Sequence, residues 1–208
     1  GPAAVVSLNR PDVRNAFHPN MIQELTEIFA RRIPATADLG AVLLRGNGPS
    51  FCSGADLGWM KSMVDYTLEE NRRDSEQLFE MFWAIRECRL PVVGRLHGHV
   101  IGGGLGLAAA CDIAAAETAT VFAFSEVRLG LVPAVISPFA LEKMAPAHAR
   151  RYMLTAETFS AEAAERSGLV HFVGEAGPVE AFVTRTVDLL IDNGPEAVCE
   201  TKKLINYL

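Results

Sequence analysis

The chain has 208 residues, 50% of them hydrophobic and 21% charged, the balance of a globular protein with a sizeable core and not of a disordered one. A net charge of -6 and a pI near 5.4 exclude nucleic acid and anionic membrane surfaces as expected partners. An anionic small ligand stays open, since it needs only a few local cations. Cys52, Cys88, Cys111 and Cys199 stand far apart without metal-ligand spacing, so no metal is expected and a reducing, cytoplasmic location fits. No apolar run approaches the roughly 20 residues of a membrane span. No leader is visible, although the start at Gly1-Pro2 fits a trimmed terminus.

Residues 3–8 (AAVVSL) form a β-branched run closed by Asn9-Arg10-Pro11-Asp12, which predicts a strand and a turn. Residues 19–32 carry Met21, Ile22, Leu25, Ile28 and Phe29 at helical spacing, and Pro34 is expected to end that helix. Residues 41–44 (AVLL) predict a strand buried on both faces, leading into the loop Gly46-Asn47-Gly48-Pro49. Residues 51–57 (FCSGADL) read as a glycine-containing turn in which Asp56 caps a helix starting near Leu57. Residues 67–89 predict a long helix with Leu68, Leu78, Phe79, Phe82, Trp83 and Ile85 inward. Residues 91–96 predict a strand feeding the glycine run 102–104 and a small-residue helix over 105–110. Strands are expected at 112–116, 121–124 and 169–173, and helices at 139–144, 147–155, 161–167 and across 179–208. Strands alternating with helices predict an α/β fold with largely parallel sheets and right-handed crossovers. The division expected is a core over 1–174 and a helical region over 175–208.

Three features carry chemistry. Glycine exposes its backbone N–H, and a helix start leaves N–H groups unpaired, so Gly102-Gly103-Gly104 before the small-residue helix suits an anion or an oxyanion. Ser53-Gly54 resembles a second such turn, and Ser53 N–H with Gly103 N–H would make a two-donor oxyanion site. Glu126, among Phe122, Phe124, Val127 and Leu129, is a candidate general acid/base, because desolvation raises a carboxyl pKa. The bland alternative is that Glu126 pairs with Arg128 or caps a turn. Residues 104–109 (GLGLAA) also match the relaxed dinucleotide pattern G-x-G-x-x-A, but no second strand ends in an acidic residue about 20 positions on, since Asp112 comes too early and Glu126 is set in an S-E-V-R turn. His97 and His99 have no carboxylate nearby in sequence and read as supporting residues. Arg10 and Arg14 are the local cations for a phosphate-bearing ligand.

Together these segments resemble the crotonase superfamily, the enoyl-CoA hydratase/isomerase fold. The matching pieces are LNRPDVRNAF (8–17), FCSGADL (51–57), PVVGRLHGHVIGGGLGLAAACDI (91–113), FAFSEVRLGLVP (122–133) and SAEAAERSGLV (160–170). The resemblance implies a spiral of ββα turns with a helical C-terminal region, an acyl-CoA thioester substrate, and a homotrimer or hexamer. No cofactor is implied beyond the coenzyme A that enters with the substrate. It also implies an oxyanion hole on Ser53 and Gly103, with Glu126 as the acid/base. CoA and substrate binding would fall on Arg14, Asn15 and Ala16, on Ser53, Gly54, Ala55, Asp56 and Leu57, and on Gly102 and Gly106.

Typical hydratases of the family carry two catalytic glutamates, and the first aligns here with Gly106. That glycine is expected to leave room for a branch, a water or a second substrate carboxylate, as in methylglutaconyl-CoA-type hydratases, which the SEVRLGLVPAVISPF wording resembles. The expected activity is reversible hydration of a 2-enoyl-CoA. A Δ3-Δ2 enoyl-CoA isomerase using Glu126 alone, or an inactive binding subunit, are the alternatives. By that resemblance the C-terminal helices are expected to be incomplete at Leu208.

Overall fold

The computed structural model describes residues 2–208, the side chain of Leu57 excepted. β1 (Ala3–Leu8), β2 (Ala41–Gly46), β3 (Val92–Leu96), β5 (Ile113–Glu117) and β8 (Phe172–Gly174) lie side by side in that order, every pairing parallel. A second sheet joins β4 (His99–Ile101) in parallel to β6 (Val121–Ala123), and β6 antiparallel to β7 (Phe159–Ser160). The α/β class with largely parallel sheets is therefore as expected. Parallel sheets are covered on both faces, and Ala41, Val42, Val92, Val93 and Ala114 are accordingly closed to solvent.

The connections are helical. α1 (Pro19–Glu27) is capped by His18, whose Nδ1 accepts from Met21 N–H at 3.2 Å. It does not stop at Pro34 but runs through a π turn (Ile28–Arg32) into α2 (Ile33–Ala35), which contains that proline. Proline lacks the N–H for the usual bond, and the wider turn, closed by Ile33 N–H on Ile28 O, absorbs the loss. α3 (Leu57–Ser62) starts on Asp56, and α4 (Leu68–Arg86) starts on a Thr67–Glu70 capping box. α4 buries Met81, Phe82 and Ile85, but Leu68 is 87% and Trp83 45% exposed, against expectation. Leu68 opens the helix beyond the sheet, and Trp83 lies on its outer side with the Arg86 guanidinium over its ring.

α5 (Gly103–Ala110) is apolar on every side and buried from Gly104 to Ala110, as a helix without a polar face must be. α6 (Ser137–Lys143), α7 (Pro146–Thr155) and α8 (Ala161–Ser167) follow. The last strand begins at Phe172 and not at Leu169, because the chain first turns at left-handed Gly168 and Leu169 N–H bonds back to Ala164 O. α9 (Ala176–Asp192) lays Val179 and Val183 on Val93 and Ala115 of the large sheet, and α10 (Pro195–Asn206) follows it. The other face of that sheet carries the main core, with Phe17, Phe29, Phe82, Leu105, Phe122 and Phe139 among its buried members.

Candidate active site

Three segments run parallel at one level. Cys52 bridges Val100, and Val100 pairs with Phe122. Cys52 N–H donates to His99 O at 3.0 Å, Ile101 N–H to Cys52 O at 3.1 Å, and Gly102 N–H to Ala123 O at 2.9 Å. Parallel segments end on the same edge, so the turns that follow them converge: Ser53-Gly54-Ala55, Gly102-Gly103-Gly104 and Ser125-Glu126. At Gly54 a Cβ would lie 3.7 Å from Gly103 N, and at Gly104 it would lie 2.2 Å from Cys52 O, a gap that only glycine permits.

The donors at this edge differ in part from those expected. Ser53 N–H is already spent on Arg14 O at 3.0 Å, and Ser53 Oγ reaches Val13 O at 3.4 Å. The residue two positions on takes its place. Phe17 N–H bonds Gly54 O at 2.7 Å and Asp56 N–H bonds Phe17 O at 2.8 Å, an extended pairing that turns the N–H of intervening Ala55 to the opposite side. Among the described residues, the N–H groups of Ala55 and Gly103 have no acceptor. No local sequence signal marks Ala55, since its free N–H depends on the pairing with distant Phe17.

Glu126 opens a single 3₁₀ turn (Glu126–Leu129) that closes at left-handed Gly130. A Cβ on Gly102 would stand 3.2 Å from Glu126 Oε1, so the carboxyl group lies directly over the start of the glycine run. Glu126 Oε2 is buried and has no hydrogen-bond partner, and no ion pair joins Glu126 to Arg128 among the described residues. Burial pushes its pKa up from the ordinary 4.5, and the Ser125 and Glu126 backbone N–H groups only partly oppose that. Phe122 and Phe124 are buried as expected, but Val127 and Leu129 are exposed, so the shielding comes from the glycine-run side.

The edge thus brings together a desolvated carboxyl group and two unpaired backbone donors. Residues 2–207 match the Enoyl-CoA hydratase/isomerase family. The chain belongs to this family, within the crotonase superfamily. An enoyl-CoA hydratase structure from Shewanella pealeana is 35% identical with a TM-score of 0.95, covering 100% of this chain and 77% of that one. The (E)-benzylidenesuccinyl-CoA hydratase of Thauera aromatica is 31% identical over 204 residues, 96% of this chain and 77% of the relative. An enoyl-CoA hydratase of Alternaria alternata is 34% identical over 202 residues, 96% of this chain and 65% of the relative. The chain thus spans about two thirds to three quarters of the length of these curated relatives.

The crotonase loops around this edge are held mostly by structural contacts. Arg14 and Asn15 both adopt left-handed backbone angles, with φ of 53° and 55°. Asn15 is wholly buried: its Nδ2 donates to Asn47 O (2.9 Å) and Ser50 O (2.8 Å), and its Oδ1 accepts from Arg10 N–H (2.7 Å). Its side chain therefore pins the loop and is not free for a ligand. Arg10 is also engaged, with Ala16 O at 2.5 Å and Asp56 Oδ2 at 3.0 Å, and its guanidinium holds the Asp56 carboxyl below the ordinary carboxylate range. Arg14 is exposed, and Ala16 is buried. The side chain of Leu57, expected at the site, lies outside the described residues.

His97 Nε2 donates to Gly48 O at 2.9 Å, and His99 Nδ1 meets Ser50 Oγ at 3.0 Å, so both histidines clamp the 46–50 loop. Gly106 does not leave the room expected of it. A Cβ there would stand 2.6 Å from Ile136 Cγ2 and 2.8 Å from Phe82 Cζ, both deeply buried side chains. An apolar wall occupies the place of a second carboxylate, and the same packing leaves residues 104–109 no open cradle for a dinucleotide. Among the described residues no group of His, Cys, Asp and Glu could hold a metal, and no helix is long and apolar enough to cross a membrane.

Proposed function

We propose that this protein hydrates a 2-enoyl-CoA thioester reversibly, with Glu126 as its acid/base. The observation that carries the reading is the Glu126 carboxyl group, with Oε1 over Gly102 and Oε2 buried without a partner, one residue from the free N–H of Gly103. The thioester oxygen would sit between the N–H groups of Ala55 and Gly103, where the charge developing on it during addition is stabilised. Such a donor is worth roughly 3–4 kcal/mol of barrier. Glu126 takes a proton from water as the water oxygen bonds the β-carbon, and it then returns that proton to the α-carbon. One carboxyl group thus ends the cycle as it began, and a second is not needed for the proton balance. The CoA moiety would lie along residues 14–16 and 53–57, where backbone groups border the same edge. The names of the relatives support hydration.

One observation favours a second reading. The apolar wall of Phe82 and Ile136 at Gly106 suits a Δ3-Δ2 isomerase, in which Glu126 moves a proton between C2 and C4 without water. Incubation with a 2-enoyl-CoA and a 3-enoyl-CoA in ¹⁸O-labelled water separates the two. Label in a 3-hydroxyacyl product is the expected result. Interconversion of the enoyl isomers without label establishes the isomerase instead. CoA binding without turnover of either establishes an inactive binding subunit.

A further inference from the structure

Water addition needs more than a base. The water must be held with one O–H toward Glu126 and a lone pair toward the β-carbon, which takes a second polar contact. Gly106 cannot supply it, because Phe82 and Ile136 fill its side-chain space. We infer that the hydroxyl of Ser125 is that contact, the residue that positions the water for addition. This rests on the hydratase reading above.

Two observations place it. A Cβ on Gly102 would stand 3.2 Å from Ser125 Oγ and 3.2 Å from Glu126 Oε1, so the hydroxyl and the carboxylate flank one point over the start of the glycine run. Ser125 also precedes the 3₁₀ turn with helical backbone angles (φ -92°, ψ -7°) in place of the extended ones of a capping serine, and its side chain makes no capping bond. Among the described residues Ser125 Oγ has no hydrogen-bond partner within the protein, so no structural contact accounts for the hydroxyl. Its hydroxyl is turned to the glycine run beside the carboxyl group.

The chemistry balances. One water proton goes to Glu126 and the second O–H is held by Ser125 Oγ while the oxygen lone pair bonds the β-carbon. The double-bond electrons move onto the thioester oxygen, and the Glu126 proton then goes to the α-carbon. Ser125 gains and loses nothing, so it affects hydration without entering proton transfer at the α-carbon.

The test compares hydration of a 2-enoyl-CoA with α-proton exchange of a saturated acyl-CoA in deuterated water, which needs Glu126 and the thioester donors but no held water. Ser125→Ala is expected to lower kcat for hydration about tenfold, the loss of one hydrogen bond at the reacting centre, with KM and exchange little changed. Ser125→Thr, which keeps the hydroxyl, is expected to recover most of the rate. Hydration by Ser125→Ala at the wild-type rate overturns the assignment, and so does an equal loss of exchange, which marks a merely structural role. Wild-type exchange without wild-type hydration sinks the hydratase reading itself, and this assignment with it.

Discussion

The two ends of α5 treat buried polar groups in opposite ways. At the C-terminal end, Lys143 Nζ donates to Cys111 O and, at 3.0 Å, to Asp112 O. Lys202 Nζ donates to Leu90 O at 3.1 Å and to Asp112 Oδ2 at 2.7 Å, and the same Oδ2 accepts from Val92 N–H at 2.7 Å. At the N-terminal end, among the described residues, buried Glu126 Oε2 and the half-buried N–H groups of Ala55 and Gly103 have no partners. Burial disfavours the charged form at both ends, lowering the pKa of Lys143 and raising that of Glu126. Only the lysine end answers with a closed network. An unsatisfied buried polar group costs about 1–3 kcal/mol, so the orphaned Glu126 oxygen persists at the expense of stability, which is the ground for proposing the ligand site at this end. The satisfied end ties α10, β3 and β5 together.

The largest expected break in that contrast is at Glu126. Glu126→Gln keeps the shape and removes the acid/base, so kcat for hydration should fall about 10²–10⁴-fold. Far-UV circular dichroism and CoA binding should be unchanged. Activity within a few-fold of the wild type would remove Glu126 from the mechanism. At the other end, Lys202→Met leaves Asp112 and Leu90 O without their cation. That should destabilise by about 3 kcal/mol, or roughly 6–12 °C in Tm for a chain of this size, with kcat per folded molecule unchanged. A fall in kcat with Tm unchanged would mean that the network serves the chemistry.

Between the two ends lies Gly106. Gly106→Ala gains a little helix propensity, roughly 0.5–1 kcal/mol, but forces its methyl group onto Ile136 and Phe82. Overpacking of this kind costs about 1–3 kcal/mol, so a net loss near 1 kcal/mol in urea unfolding is expected. A neutral or stabilised variant would show that the space beside Gly106 is open after all.

The fold was largely legible because its signals are local. Continuous apolar runs such as Ala41 to Leu44 mark the buried strands, and Asp56 and Thr67 cap the helices they precede. The short strands β4 and β7 escaped, since three and two residues carry no periodicity. In the candidate site, Glu126 and Gly103 were readable as residue types in an apolar or glycine-rich setting. The exchange of Ser53 for Ala55 was not, because it depends on which N–H the Phe17 pairing leaves over, a contact across 38 positions of sequence. The filling of Gly106 was hidden for the same reason: Phe82 and Ile136 reach it from α4 and from the segment before α6. Absence of a side chain in the sequence says nothing about who occupies its space.

The smallest expected effect concerns stability, and it separates the two ends by sign. The folded state raises the Glu126 pKa above 4.5, so it binds that proton more tightly than the unfolded chain does. Below the unfolded value both states are protonated and the carboxyl group carries no penalty. As pH rises through the folded value the group ionises in a desolvated place, and stability falls. Glutamine has no such ionisation. Glu126→Gln should therefore be more stable than the wild type at neutral pH, with the difference shrinking towards zero as the pH drops below the ordinary carboxylate range. Urea unfolding of both proteins across that range reads the difference directly. If the variant is instead less stable at neutral pH, the Glu126 carboxylate has partners in the folded protein. The N-terminal end of α5 would then be as satisfied as the lysine end, and the contrast that singles out the site would be gone.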